Sequence, residues 1–159
     1  MVSPQPVKAE AAPFGAIING NEFIFCSDTE QRHDVRPPGA AGKLAFDGTY
    51  GYARENQLAL FAGTQIKLNG FGLRREGGDF GASADACDPR GSPGDRIVGR
   101  VAGREGGTLC IAPPARLNSN APEATIDGQP VPCVVRDGEI RFDVTISLRD
   151  GCKEFEIKF

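Results

Sequence analysis

Near the C-terminus, apolar and polar residues alternate strictly. In EIRFDVTISL the apolar positions are Ile140, Phe142, Val144, Ile146 and Leu148, separated by Arg141, Asp143, Thr145 and Ser147. A period of two puts the apolar set on one face of a strand and the polar set on the other, one buried and one wet. Asp150-Gly151 supplies a turn signal, after which Phe155, Ile157 and Phe159 alternate with Glu154, Glu156 and Lys158. These two segments are expected to pair as a hairpin.

The same grammar runs through the rest of the chain. EFIFC follows Asn19-Gly20, KLAFD ends at Asp47-Gly48, and QLALFAGTQIKL carries Leu58, Leu60, Ile66 and Leu68 before Asn69-Gly70. DRIVGRVA leads through Gly106-Gly107 into TLCIA, and Asp127-Gly128 and Asp137-Gly138 punctuate the stretch before EIRF. These dipeptides, with Gly77-Gly78, read as turns between strands, because glycine and asparagine or aspartate accept the left-handed backbone that tight turns need. No segment sustains a helical period. The connections are too short for parallel crossovers. The expected fold is therefore all-β, an antiparallel β-sandwich of roughly ten to twelve short strands. Residues 1–13, rich in Pro and Ala, read as a flexible linker or a truncation point, and residues 14–159 as a single β-sandwich domain. Two irregular stretches, 28–42 and 81–95, read as long loops, where binding usually resides on a sheet scaffold.

Composition narrows the function classes. A chain of 159 residues with 21 Gly and 12 Pro suits one domain of many strands, large enough to bury a core without metals or disulfides. The net charge of −3 speaks against nucleic acid as a partner. No apolar run reaches the length of a membrane-spanning helix, so no membrane partner is expected, and the N-terminus lacks the apolar stretch of a signal peptide. Five cysteines, Cys26, Cys87, Cys110, Cys133 and Cys152, lie outside any CxxC pairing. They read first as small buried hydrophobes on strands, with a disulfide such as Cys110 to Cys133 as the alternative.

Reaction chemistry finds little support. His33, the one histidine, sits in a polar stretch with Asp28, Glu30 and Asp34, and no serine lies in a GxSxG elbow. There is no phosphate-binding loop and no dinucleotide fingerprint, so no cofactor is expected. Asp85, Asp88 and Asp95 share one stretch, but their spacing matches no calcium loop, and no metal site is expected.

Two surfaces stand out as candidate ligand-binding sites. In TYGYAR, Tyr50, Tyr52 and Arg54 fall on one strand face; the rings can stack on sugars, or pack inward. In DRIVGRVAGRE, Arg96, Arg100 and Arg104 share a face and can bind an anionic polymer, or form a solvated face paired with acids on neighbouring strands.

The runs FIFCSDTE…GKLAFDGTYGYARENQLALFAGTQIKLNG, GDRIVGRVAGREGGTLCIA and ATIDGQPVPCVVRDGEIRFDV together resemble the C-terminal all-β domain of polysaccharide lyases of the heparinase II/III type. The likeness covers the chain from about Phe23 onward, and it consists of strand and turn cadence. In that family the chemistry lies largely in an N-terminal helical toroid and at its boundary with the first sheet. No acid or base of the family is matched here, so no catalytic residue is carried over. The resemblance implies a non-catalytic accessory domain of a carbohydrate-active enzyme. Such a domain would brace an N-terminal catalytic domain or bind an acidic polysaccharide, and its compartment would be the periplasm or the exterior. A structural or protein-interaction domain is the alternative, and a small stand-alone enzyme the third reading.

Overall fold

The computed structural model describes residues 6–12, 15–35, 44–87, 93–117 and 121–159, with the backbone alone for 27–35, 87 and 93–95. Thirteen strands form one sheet: β1 (Ala9–Ala12), β2 (Gly15–Ile18), β3 (Glu22–Val35), β4 (Leu44–Arg54), β5 (Gln57–Leu68), β6 (Phe71–Glu76), β7 (Asp79–Cys87), β8 (Pro93–Ala112), β9 (Glu123–Ile126), β10 (Gln129–Val131), β11 (Cys133–Arg136), β12 (Glu139–Ser147) and β13 (Cys152–Lys158). Every pairing is antiparallel, as expected, and none of the described residues is helical. Part of the segment read as a linker is β1, which pairs with β2.

The register reveals how one sheet makes two leaves. β6 and β7 both lie between β5 and β8. Residues 71–74 pair with 68–65 of β5 and residues 82–85 with 60–57, while the other edges of β6 and β7 run along β8 in the same order. They are two segments of one broken strand. β12 and β13 likewise run along the far edge of β8, with Ile140 level with Ile111 and Lys158 level with Arg96. All these strands bend or break at the same level. The sheet is thus folded double across a crease, so that strands pass from one leaf to the other by bends and bulges. The first leaf holds the starts of β3, β5 and β8, the end of β4, and β2, β7, β13, β9 and β10. The second holds the other ends of β3, β4, β5 and β8, with β6, β12 and β11.

Glycines make the crease. Gly48 and Gly63 face each other across β4 and β5 with φ of 141° and 154°, and a Cβ on either would overlap the partner strand's carbonyl, Ala62 O or Asp47 O. Asp47 secures the bend by accepting from Thr64 N, Thr64 Oγ1 and Gln65 N at 2.7, 2.5 and 2.7 Å. In β8, a Cβ on Gly106 would overlap the Val144 carbonyl.

Apolar faces of both leaves meet in the core. Phe142 of the second leaf packs against Phe155 of the first with ring centroids 5.7 Å apart, and Phe25 packs on Phe46 at 4.3 Å. Ile140, Phe142, Val144, Ile146, Phe155 and Ile157 are all buried, as the alternation requires.

Several expectations change. β12 and β13 do not pair with each other; each pairs with β8, because the break at Leu148–Gly151 is a crease and not a reversal. Leu148 lies in that break and is 74% exposed. Asp47-Gly48 and Gly106-Gly107 sit inside β4 and β8, which therefore run on for 11 and 20 residues; β3 and β5 are also long, at 14 and 12. Much of the expected loops is strand too, since β3 reaches Val35 and β7 reaches Cys87. The thiols of Cys26, Cys110, Cys133 and Cys152 are free. Cys110 is buried, Cys133 is half-buried, and Cys26 and Cys152 are exposed, against the expectation of buried hydrophobes. No Cys110–Cys133 disulfide forms: Cys110 is level with Arg141 and Cys133 with Phe142. The side chain of Cys87 lies outside the described residues.

Candidate functional site

The outer face of the first leaf is ordered in cross-strand rows, because residues level across an antiparallel sheet point to the same side. One row runs Arg54, Gln57, Asp85, Val98, Glu156, Thr125. The next runs Ile24, Tyr52, Ala59, Ser83, Arg100, Glu154. From Tyr52 and Gln57 onward the two rows line an open groove of about 720 Å³, with Asp127 at one end.

Its polar groups hold one another in place. Gln57 Nε2 donates to Asp85 Oδ2 at 2.7 Å. Arg100 donates from Nη2 and Nε to Glu154 Oε1 at 2.9 and 3.2 Å, and Arg96 Nη1 donates to Glu156 Oε1 at 3.1 Å. Asp127 Oδ1 accepts from the Glu154 backbone N–H at 2.9 Å, which pins the turn after β9 against β13. Tyr52 OH donates to Glu22 Oε2 at 3.4 Å, and Arg54 Nη1 reaches Glu22 Oε1 at 3.5 Å. Partial burial, then the Glu22 carboxylate, raise the Tyr52 phenol above its ordinary pKa, so it stays a neutral donor. This is a surface of fixed hydrogen-bond donors and acceptors with one ring at its side. No group of His, Cys, Asp and Glu among the described residues is arranged to hold a metal ion.

The sequence candidates are partly brought together. Tyr50 and Tyr52 both point outward; Tyr50 is 52% exposed and Tyr52 half-buried, so neither packs in the core. Tyr52 and Arg100 share a row, while Arg54 heads the neighbouring row, level with Gln57, and turns to Glu22. Arg96, Arg100 and Arg104 each face an acid on a neighbouring strand; for Arg104 this is Asp79 at 3.9 Å, beyond the groove. The side chains of His33 and Asp95, and Asp88 altogether, lie outside the described residues. Gln57, Ser83, Glu154 and Glu156 do not stand out in the sequence, and Asp85 does so only as one acid of a stretch weighed for calcium. They are ordinary polar positions of alternating strands, and only register shows that they are level.

The second leaf carries a separate charged cluster. Arg74 bonds Glu76 and Glu139 at 2.5 Å each, and Arg141 meets the same two acids at 3.5 and 3.1 Å, closing a ring over buried Cys110. Hydrogen bonds from Arg74 hold both carboxyls below the usual carboxylate range, and burial pushes the Cys110 thiol up. Every charge in the ring is matched, so it reads as structure.

No protein family, curated protein or solved structure matches the chain. No helix among the described residues is long and apolar enough to cross a membrane.

Proposed function

We propose that this chain is a non-catalytic β-sandwich module of a carbohydrate-active enzyme, which holds a polysaccharide on the outer face of its first leaf beside a catalytic domain. The observation that carries this reading is the row Tyr52, Ser83, Arg100, Glu154 in an open groove, an aromatic ring in line with fixed hydrogen-bonding groups. A sugar offers a C–H face to a ring and hydroxyls to polar neighbours. The carboxylates of the groove are engaged by Gln57, Arg96, Arg100 and backbone, which suits positioning more than proton transfer. The resemblance of the strand cadence to the sandwich domain of heparinase II/III-type lyases agrees with an accessory role. The test is affinity electrophoresis through gels containing acidic or neutral polysaccharides, with Tyr52→Ala and Arg100→Ala alongside. Retardation of the parent chain that Tyr52→Ala loses supports the groove. Free migration in every gel overturns the reading.

One observation favours a second reading, a protein-contact module. β11 pairs only with β12 among the described residues, and Val134 and Val135 on it are exposed. An apolar edge strand of this kind can accept an extended partner segment.

A further inference from the structure

Two residues further along the same strands, about 7 Å away, the outer face of the first leaf changes character. The row there runs Cys26, Tyr50, Phe61, Gly81, Ala102, Cys152. Phe61 follows Leu60, whose partner is Ala82, so it stands level with Gly81; on its other side it is the extra residue of a bulge against Tyr50 and Gly51. The row holds no charged residue. Its two rings are the most exposed aromatic side chains described, Tyr50 at 52% and Phe61 at 63%. Beside Phe61 the floor is bare: a Cβ on Gly81 would stand 2.8 Å from Leu60 O and 3.3 Å from Phe61 Cα. A second hollow of about 510 Å³ opens here, bounded by Phe61, Gly81, Ala102 and Leu148. At its far end Asp79 and Arg104 face each other at 3.9 Å.

The charge of the adjoining groove restricts what lies across both hollows. Four carboxylates line it, Asp85, Asp127, Glu154 and Glu156; the Arg100 guanidinium among them is engaged by Glu154, and Arg96 and Lys158 beside it by Glu156. An anionic chain entering there must displace a carboxylate from one of these cations. A chain of uncharged sugars meets none of this cost. It would find hydrogen-bonding partners in one hollow and the Phe61 ring in the next, with Tyr50 in the same row.

We propose that Tyr50 and Phe61 form an aromatic subsite continuing the groove, and that the ligand is an uncharged, linear glycan long enough to occupy both hollows. This rests on the glycan-binding reading given above. A ring exposed to this degree, next to a glycine-floored hollow, stacks on one sugar face while the neighbouring unit is held by Gln57, Ser83 and Arg100.

The test is isothermal titration with three oligosaccharide ladders of increasing length: cello-oligosaccharides, manno-oligosaccharides and oligogalacturonides. The expected result is binding of a neutral ladder, with affinity rising with length until both hollows are filled. Phe61→Ala and Tyr50→Ala should each remove that rise, about tenfold for the longest member, and leave the shortest member unaffected. Melting curves confirm that both surface variants remain folded, and Tyr50→Ala stands in should Phe61→Ala not. Neutral binding with an unchanged length dependence in both variants overturns the subsite while the groove stands. Preference for oligogalacturonides overturns the uncharged ligand. Binding of none of the ladders overturns the glycan reading itself. A parent chain that sediments as a dimer, and as a monomer after Phe61→Ala, overturns the proposal in favour of a second copy as the occupant.

Discussion

Phe142 and Phe155 join the two leaves through their rings, and both are almost wholly buried. Phe142→Ala should lower stability by about 3–5 kcal/mol in urea unfolding; a loss under about 0.5 kcal/mol would put Phe142 outside the core. Arg100→Ala should change stability by less than about 0.5 kcal/mol, because its pair with Glu154 is two-thirds exposed on both sides and screened by water. The ring over Cys110 predicts a pH dependence. Glu76 and Glu139 titrate lower in the folded chain than in the unfolded one. Their stabilisation is therefore present above the unfolded carboxylate range and is lost as pH falls through the folded pKa values. Urea midpoints of the parent chain should drop from pH 7 to pH 3 more steeply than those of Glu139→Gln. Equal slopes would show that the ring contributes nothing. Among single residues, the alternation exposed the buried set of β12 and β13 well. It hid Phe61, because QLALFA is apolar on both faces and no period shows which way its ring points.

At the level of elements, the glycines do two different jobs that look identical in sequence. Asn69-Gly70 reverses the chain between β5 and β6, with both residues at positive φ and nothing within 4 Å of a Cβ on Gly70. Gly63 lies inside β5 at the crease, where a Cβ would strike Asp47 O. Gly70→Ala should therefore cost about 1–2 kcal/mol, the price of a left-handed backbone alone. Gly63→Ala should cost at least about 3 kcal/mol, because strain and overlap combine. Melting temperatures of the two variants side by side check this; equal losses would mean that β5 is not creased at Gly63. A glycine pair signals only that the backbone departs from ordinary strand geometry. Whether the chain then reverses or bends and continues depends on which strands lie alongside, and that information is not local. This is why the four reversals at Asn19-Gly20, Asn69-Gly70, Asp127-Gly128 and Asp137-Gly138 are read correctly, while the terminal hairpin is not.

Across the whole molecule, the groove and the aromatic row belong to one face built from β4, β5, β7, β8 and β13, strands separated by up to about a hundred residues of chain. Cys26 and Cys152 lie at opposite ends of that row and are exposed, whereas Cys110 is sealed under the charged ring. Thiol labelling of the native chain should modify Cys26 and Cys152 rapidly and leave Cys110 protected until unfolding; rapid labelling of Cys110 would mean that the ring does not cover it. The all-β class, the antiparallel pairing and much of the buried set are legible in the residues alone, because period-two alternation and short connections are local and the sheet obeys them directly. So is the shared face of Tyr50 and Tyr52, two positions apart on one strand. Tertiary structure alone decided that the sheet is folded double, that the arginines meet acids on neighbouring strands, and that Tyr52, Ser83, Arg100 and Glu154 stand in one row. Those are matters of register, and register is set by long-range pairing and by where each strand bends.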